Sequence, residues 1–350
     1  MNPMHRRTLL LAMLSAPAAW ALPPRALQFP RDFGSHPELR TEWWYITGHA
    51  QSRAREFGFQ LTFFRSRVDD TQGMQSAFAA KQLVFAHAAV TDLERRRLLH
   101  DQRIARAGFG VASASEVDTE VRLRDWSLQR SPGGAYQARL PTGDFTLALD
   151  FTPTQPVLLQ GSAGLSRKGP QPEQASYYYS EPQLATRGRL TVQGQGFDVA
   201  GTAWLDHEWS EALMHPEAVG WDWIGMNLDD GSALTAFHLR RADGSALWGG
   251  GSWRPRGGVA QSFGADTVHF DAGHRWASPR TRAAYPVQWR IDTPAGRFTV
   301  RALLDDQELD SRGSTGAVYW EGLSELLDDQ GRRVGRGYLE MTGYAARLQL

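Results

Sequence analysis

In the stretch "WLDHEWSEALMH", Asp206, His207 and Glu208 stand between Trp204 and Trp209. A carboxyl beside an imidazole in an indole-lined setting can hold and deliver a proton, because loss of water strengthens the carboxyl's grip on it. The same polar groups could equally satisfy a strand end at a junction. The spacing is not the His-Glu-x-x-His of a zinc helix. A helical face of His207, Glu211 and His215 would be interrupted by Pro216, so no metal is expected.

A second constellation lies in "GWDWIGMNLDDGSALTAFHLRR". If Asp230-Gly231 closes a two-residue hairpin, Trp223 faces His238, Trp221 faces Arg240 and Asn227 faces Leu234. One surface then gathers two indoles, an imidazole, an amide and a guanidinium, which is the chemistry of a pocket. Asp222 falls on the opposite surface, facing Leu239 beside the Ile224–Phe237 and Met226–Thr235 pairs. A lone carboxyl there keeps its proton unless a basic group finds it. It could also cap backbone or pair an arginine.

Phenols and indoles at Tyr177, Tyr178, Tyr179, Tyr319 and Trp320 suit a flat or unsaturated ligand, and equally a core. In "TEWWYITGHA", alternation sends Trp43, Tyr45, Thr47 and His49 to one side of a strand. Glu42, Trp44, Ile46 and Gly48 go to the other. Rings on both faces require cover on both, by a barrel interior and by something outside it. Glu42, next to Trp44, is the residue of that strand most suspect of a role.

The elements that must carry these residues read as strands. Phe57, Phe59, Leu61 and Phe63 alternate in "EFGFQLTFF", and turn signals such as Pro132-Gly133-Gly134, Asp243-Gly244 and Gln330-Gly331 recur at short intervals. "KQLVFAHAAVTDLERR" reads as a strand and "SEALMHPEAV" as a helix. Ser166 to Ser176 should be an exposed loop at the edge of the site. A break near His215-Pro216 separates two halves.

No Gly-x-Ser-x-Gly elbow, P-loop or dinucleotide fingerprint occurs, which disfavours serine hydrolase, NTPase and Rossmann chemistry. The balance of 38 basic and 38 acidic residues disfavours nucleic-acid binding. With no cysteine, disulfides, thiol nucleophiles and thiolate zinc sites are excluded. Lys81 and Lys168 are the only lysines, and neither has a context that points to Schiff-base chemistry. Residues 1–21 have a basic start, a short apolar run and the small-residue pattern Ala19-Trp20-Ala21. They read as a signal peptide, with Arg6-Arg7 also suiting twin-arginine export, so a periplasmic or secreted protein without a transmembrane span is expected.

Together "FPRDFGSHPELRTEWWYITGHA", "AWLDHEW", "GWDWIGMNL", "YWEG" and "GRGYLEMTGYA" resemble the carotenoid 1,2-hydratase-like and AttH-like family of secreted proteins, closer to the AttH-like branch. The resemblance implies an all-β fold of two lipocalin-like antiparallel barrel domains packed together, over residues 30–215 and 216–350. It also implies an apolar, isoprenoid- or lipid-like ligand in an aromatic pocket. Some members add water to a carbon–carbon double bond without a cofactor; others accompany ABC transporter components, so a carrier or accessory role is the alternative. By resemblance the acids are Asp206 and Asp222, with His207 or His238 placing water and Trp221 and Trp223 facing a carbocation. Glu42, Trp44, Tyr178, Trp209, Asn227 and Tyr319 complete the expected ligand-binding set.

Overall fold

The computed structural model describes residues 21–348 apart from Ala54 and Leu213. The leader expected over residues 1–21 therefore lies, but for Ala21, outside the described residues. Among the described residues the regular structure is almost all strand, broken only by three single-turn 3-10 segments. No helix among the described residues is long and apolar enough to cross a membrane.

Thr41–Ser52 runs between Arg55–Arg67 and Gln195–Ala212, antiparallel to both. These three belong to a thirteen-stranded sheet that curls into a nearly closed barrel. Its interior takes Trp44 and Ile46 from the first strand and the alternating Phe57, Phe59, Leu61 and Phe63 from the second. Gln82–Asp92 is the strand its alternation predicts. The helix expected in "SEALMHPEAV" is absent from the described residues of that stretch. The strand instead continues to Ala212, where Ala175 still pairs with it, and the chain then turns at Pro216.

After Ala212 the chain leaves this sheet, and from Gly220 it builds a second antiparallel sheet of ten strands with its own core of Ile224, Met226, Trp289, Trp320 and Leu339. A third apolar cluster, with Tyr45, Trp204, Trp223, Phe237, Leu323 and Tyr338, joins the facing sides of the two sheets. The fold is thus two lipocalin-like antiparallel β structures packed face to face.

The hairpin register differs from the expected one. Leu228 N–H donates to the Ser232 carbonyl and Gly231 N–H to the Leu228 carbonyl, both at 2.9 Å, so Asp229, Asp230 and Gly231 form a three-residue loop. Gly231 takes φ +89°, the left-handed conformation that such a loop requires and glycine adopts without a Cβ penalty. One extra loop residue shifts the pairing by one, and a one-residue shift exchanges the two faces. Asp222 therefore lies opposite His238, Trp223 opposite Phe237, Trp221 opposite Leu239 and Asn227 opposite Ala233.

Candidate active site

Between the sheets lies a cavity of about 300 Å³, at the lower end of the volumes that hold small molecules. Its walls follow directly from the strand registers. On the barrel side one row runs Tyr178, Glu208, Trp43, Phe64, Phe85 and Ile104 across six neighbouring strands. A second row runs Asp206, Tyr45, Thr62 and His87. The facing sheet contributes a row of Phe237, Trp223, Glu340 and Glu321, with Trp221, Leu239 and Tyr319 beside it; all of these line the cavity.

Asp206 is the carboxyl best placed for proton transfer. It is buried on the cavity wall, and its oxygens accept hydrogen bonds from Tyr178 Oη (2.7 Å), Ser180 Oγ (2.6 Å) and Trp204 Nε1 (2.6 Å). Burial pushes its pKa up to about 7, against the three donors, which favour the ionised form. The acid is thus loaded with a proton near neutrality, while the carboxylate left after transfer finds three hydrogen bonds already aimed at it. Two of the donors are themselves held: Trp223 Nε1 donates to Tyr178 Oη (3.3 Å), and Gln160 Nε2 to Ser180 Oγ (2.8 Å).

Glu208, its neighbour two residues on, is instead paired with Lys168 Nζ at 3.0 Å and accepts from Ser176 Oγ. The loop expected to be exposed is so only near its tip; Lys168 is buried, with Nζ 4.6 Å from the Tyr178 ring centroid and 4.4 Å from that of Phe237. Its apolar stem and aromatic neighbours draw it inward once a carboxylate offsets its charge.

The other expected residues divide between walls and scaffolding. Tyr178, Trp221, Trp223 and Tyr319 line the cavity. Trp44 and Trp209 lie inside the barrel, stacked on His207 (4.6 Å) and His36 (3.9 Å) respectively, and cannot reach a ligand in the cavity. His207 also points to the barrel side, with Nε2 3.0 Å from Glu42 Oε1 and Nδ1 3.1 Å from Tyr179 Oη. Burial pushes its pKa down to about 4.

Glu42 and Arg65 reach the cavity's edge, but the Glu42 carboxylate is spoken for. It accepts from Ser35 Oγ, from His36 N–H and from Arg65 Nε (2.8 Å), and His36 Nδ1 lies 2.8 Å away. Burial alone would raise its pKa, yet the bonds with His207 and His36 outweigh burial and hold it well below the usual carboxylate range. Possible ligand atoms of His36, Glu42 and His207 lie within 4.8 Å of one another. Each already has a partner in this chain, Arg65 included, so the set reads as a hydrogen-bond network.

Asp222 and His238 lie on the face opposite the one first expected for His238, in the second sheet's core. Asp222 Oδ2 accepts from Arg240 Nε (2.6 Å) and lies 2.5 Å from His238 Nε2, and Oδ1 accepts from Tyr344 Oη (2.9 Å). Asp222 therefore pairs an arginine away from the cavity, and the extra loop residue is the reason. Asn227 holds the two sheets together, accepting from Gln183 N–H (2.8 Å) and donating to the Ala203 carbonyl (3.1 Å).

Sequence reading missed Glu340 and gave Glu321 no role. They are direct cross-strand neighbours on the cavity wall, Glu321 buried and Glu340 half-buried. Burial raises the Glu321 pKa well above its ordinary value, reinforced by the Glu340 charge, and raises that of Glu340 to about 7. The signal available was a glutamate between aromatic or apolar neighbours in both "YWEG" and "YLEM".

The whole-chain comparisons agree with this architecture. A Nitrosomonas europaea protein described as a candidate AttH is 48% identical, and its crystal structure superposes with a TM-score of 0.87 over 93% of this chain and 99% of its own. Kievitone hydratase from Nectria haematococca shares the fold at 14% identity, with a TM-score of 0.72 over 92% of this chain and 94% of its own. CghA, solved with Sch210972, shares it at 12% identity and a TM-score of 0.54 over 89% of each chain. No functionally curated protein matches the sequence. The AttH-like family profile spans residues 20–344, and the chain belongs to the AttH-like family.

Proposed function

We propose that this is an exported protein that holds an apolar, isoprenoid- or lipid-like molecule in the cavity between its sheets and protonates a carbon–carbon double bond of that molecule from Asp206. The observation that carries the reading is a buried carboxyl on an aromatic cavity wall, tied to no arginine or lysine and protonated near neutrality. A carrier or transporter-accessory protein would have both candidate acids tied to arginines and no cavity; Asp222 is paired with Arg240, whereas Asp206 meets only neutral donors on a cavity wall. The hydratase fold likeness adds to the reading without deciding it.

In the step envisaged, the alkene π pair takes the proton of Asp206 and forms a C–H bond, leaving a carbocation and a carboxylate. A water lone pair then forms the C–O bond, and the water's proton returns to the carboxylate. If an adjacent C–H proton returns instead, the double bond has moved. The indole faces of Trp221 and Trp223 stand where they can stabilise the cation. No cofactor takes part.

Native mass spectrometry of the protein purified from its own envelope, followed by organic extraction, identifies the molecule carried. With that molecule as substrate, Asp206→Asn is expected to lower turnover by about 10²–10⁴-fold, the span of general acid catalysis, while binding persists. Because the proton must be on Asp206 at the start, turnover is expected to fall as pH rises through about 7. Unchanged turnover in the variant, or a profile flat across that range, would sink the assignment.

A further inference from the structure

Two aromatic rings of this protein stand in water side by side. Phe78 is 74% exposed and Phe109 60% exposed, yet they stack on one another with ring centroids 5.4 Å apart. They come from different loops: Phe78 from the one that leads into Gln82–Asp92, Phe109 from the one that leaves Arg97–Arg106. Met74 and Val111, on the same two loops, are exposed as well. Apolar side chains scattered singly over a surface are ordinary, whereas four on two touching loops form a patch suited to a partner.

Charge says what kind of partner. The Arg106 guanidinium carbon stands 4.3 Å from the Phe109 centroid and 5.5 Å from that of Phe78. Lys81 is exposed three residues after Phe78, and Arg124 is exposed on a neighbouring turn, its N–H donating to the Val111 carbonyl at 2.7 Å. None of the three has a carboxylate partner among the described residues. The acids close by in the chain, Asp69 and Asp125, are taken by Arg67 and Arg103, which leaves Asp70 alone against three unpaired cations. The whole chain carries 38 basic and 38 acidic residues, so the positive charge is local to this tip. Exposed rings flanked by unpaired cations match the two layers of an anionic bilayer surface, with acyl chains for the rings and phosphates for the cations.

The tip also adjoins the cavity. Arg106 lies directly across from Leu83, and Ile104 across from Phe85, on one face of the strand pair. Leu83, Phe85 and Ile104 line the cavity, and Ile104 is itself exposed. One strand face therefore runs from the cavity wall, over its rim at Ile104, to the stacked rings.

We infer that the Phe78 and Phe109 tip, with Lys81, Arg106 and Arg124, docks the protein on an anionic phospholipid bilayer, placing the rings in the acyl boundary and the cavity rim at Ile104 beside the membrane. The docking stands on the patch alone. That an apolar guest passes between bilayer and cavity at this rim rests on the function proposed above.

Cosedimentation of the purified protein with vesicles tests it, using phosphatidylcholine containing roughly one-third phosphatidylglycerol and phosphatidylcholine alone. The anionic vesicles are expected to bind on the order of tenfold or more tighter, since each basic residue at such a surface adds about fivefold, and high salt should remove that advantage. Phe78→Ser and Phe109→Ser, each checked for native near-UV circular dichroism, should each weaken binding by about tenfold. Because the sequence has no cysteine, a single one can carry an environment-sensitive fluorophore. The label at Gln75→Cys, exposed between Met74 and Phe78, should shift to the blue on anionic vesicles; the label at Val259→Cys, exposed between strands of the second sheet, should not. Equal binding to both vesicles, or a shift at position 259 in place of position 75, overturns the assignment. Binding to neither vesicle also overturns it and leaves the rings to a protein partner, with the reading of the cavity untouched. Conversely, an empty cavity on organic extraction would remove the guest and leave the docking in place.

Discussion

At the scale of single residues, the contrast between Asp206 and Asp222 governs how the site is read. Both are buried carboxyls in Trp-rich strands, yet one meets only neutral donors at a cavity wall and the other meets Arg240, His238 and Tyr344. Replacing Asp222 by Asn leaves the Arg240 guanidinium buried without a counter-charge, so about 3–5 kcal/mol of stability should be lost. Denaturant titration measures this, and the activity per folded molecule should be unchanged; a turnover defect in a fully folded variant would contradict the structural assignment. Sequence could nominate both acids from their neighbours. It could not rank them, because the ranking depends on which strand face each occupies.

At the scale of elements, that face was fixed by one loop residue. Alternation along Thr41–Ser52 and Phe57–Phe63 was legible because it needs no partner: it is a property of a single strand. The Trp221–Arg240 register was not, since Asp230-Gly231 serves a two-residue turn and the second half of a three-residue loop equally well. The same loop form recurs at Arg241–Ser245, with Gly244 at φ +85°, and at Asp328–Arg332, with Gly331 at φ +74°. Asp-Gly and Gln-Gly signals in this fold therefore mark the third loop position, and pairing should be counted accordingly. Deleting Asp230 is expected to force a two-residue turn and move either the Asp222 or the His238 side chain to the wrong face. Loss of soluble expression or of cooperative unfolding should follow, whereas Gly231→Ala, strained only at φ +89°, should cost about 1 kcal/mol in a denaturant titration. Native stability in the deletion variant would show that the loop does not set the register. Glu340 and Lys168 stayed hidden for a related reason: one acquires its partner Glu321 across a strand pair, and the other is drawn inward by groups distant in sequence.

At the scale of the molecule, the two sheets meet through the cluster containing Trp204, Trp223, Phe237 and Tyr338 and through polar clamps. Gln183, in a bulge of its strand at φ +57°, offers its N–H to Asn227 and its side-chain amide to the Leu228 and Ser232 carbonyls. Asn227→Ala removes the partner of two backbone groups, so about 1–3 kcal/mol should be lost. Since the cavity is walled by both sheets, the same variant should weaken ligand retention although Asn227 does not touch the cavity. Separate unfolding of the sheets in wild-type protein, seen as non-coincident fluorescence and far-UV transitions, would argue against that coupling.

The strand from Thr41 to Ser52 has one face in the barrel and the other on the cavity, and this divides what evolution can do with it. Glu42, Trp44 and Ile46 are bound by the upkeep of the barrel, whereas Trp43 and Tyr45, their immediate neighbours in sequence, line the cavity. Relatives could therefore trade one guest molecule for another by changing every second letter of this short text, leaving the alternate letters, and the fold they spell, unread by selection for ligand.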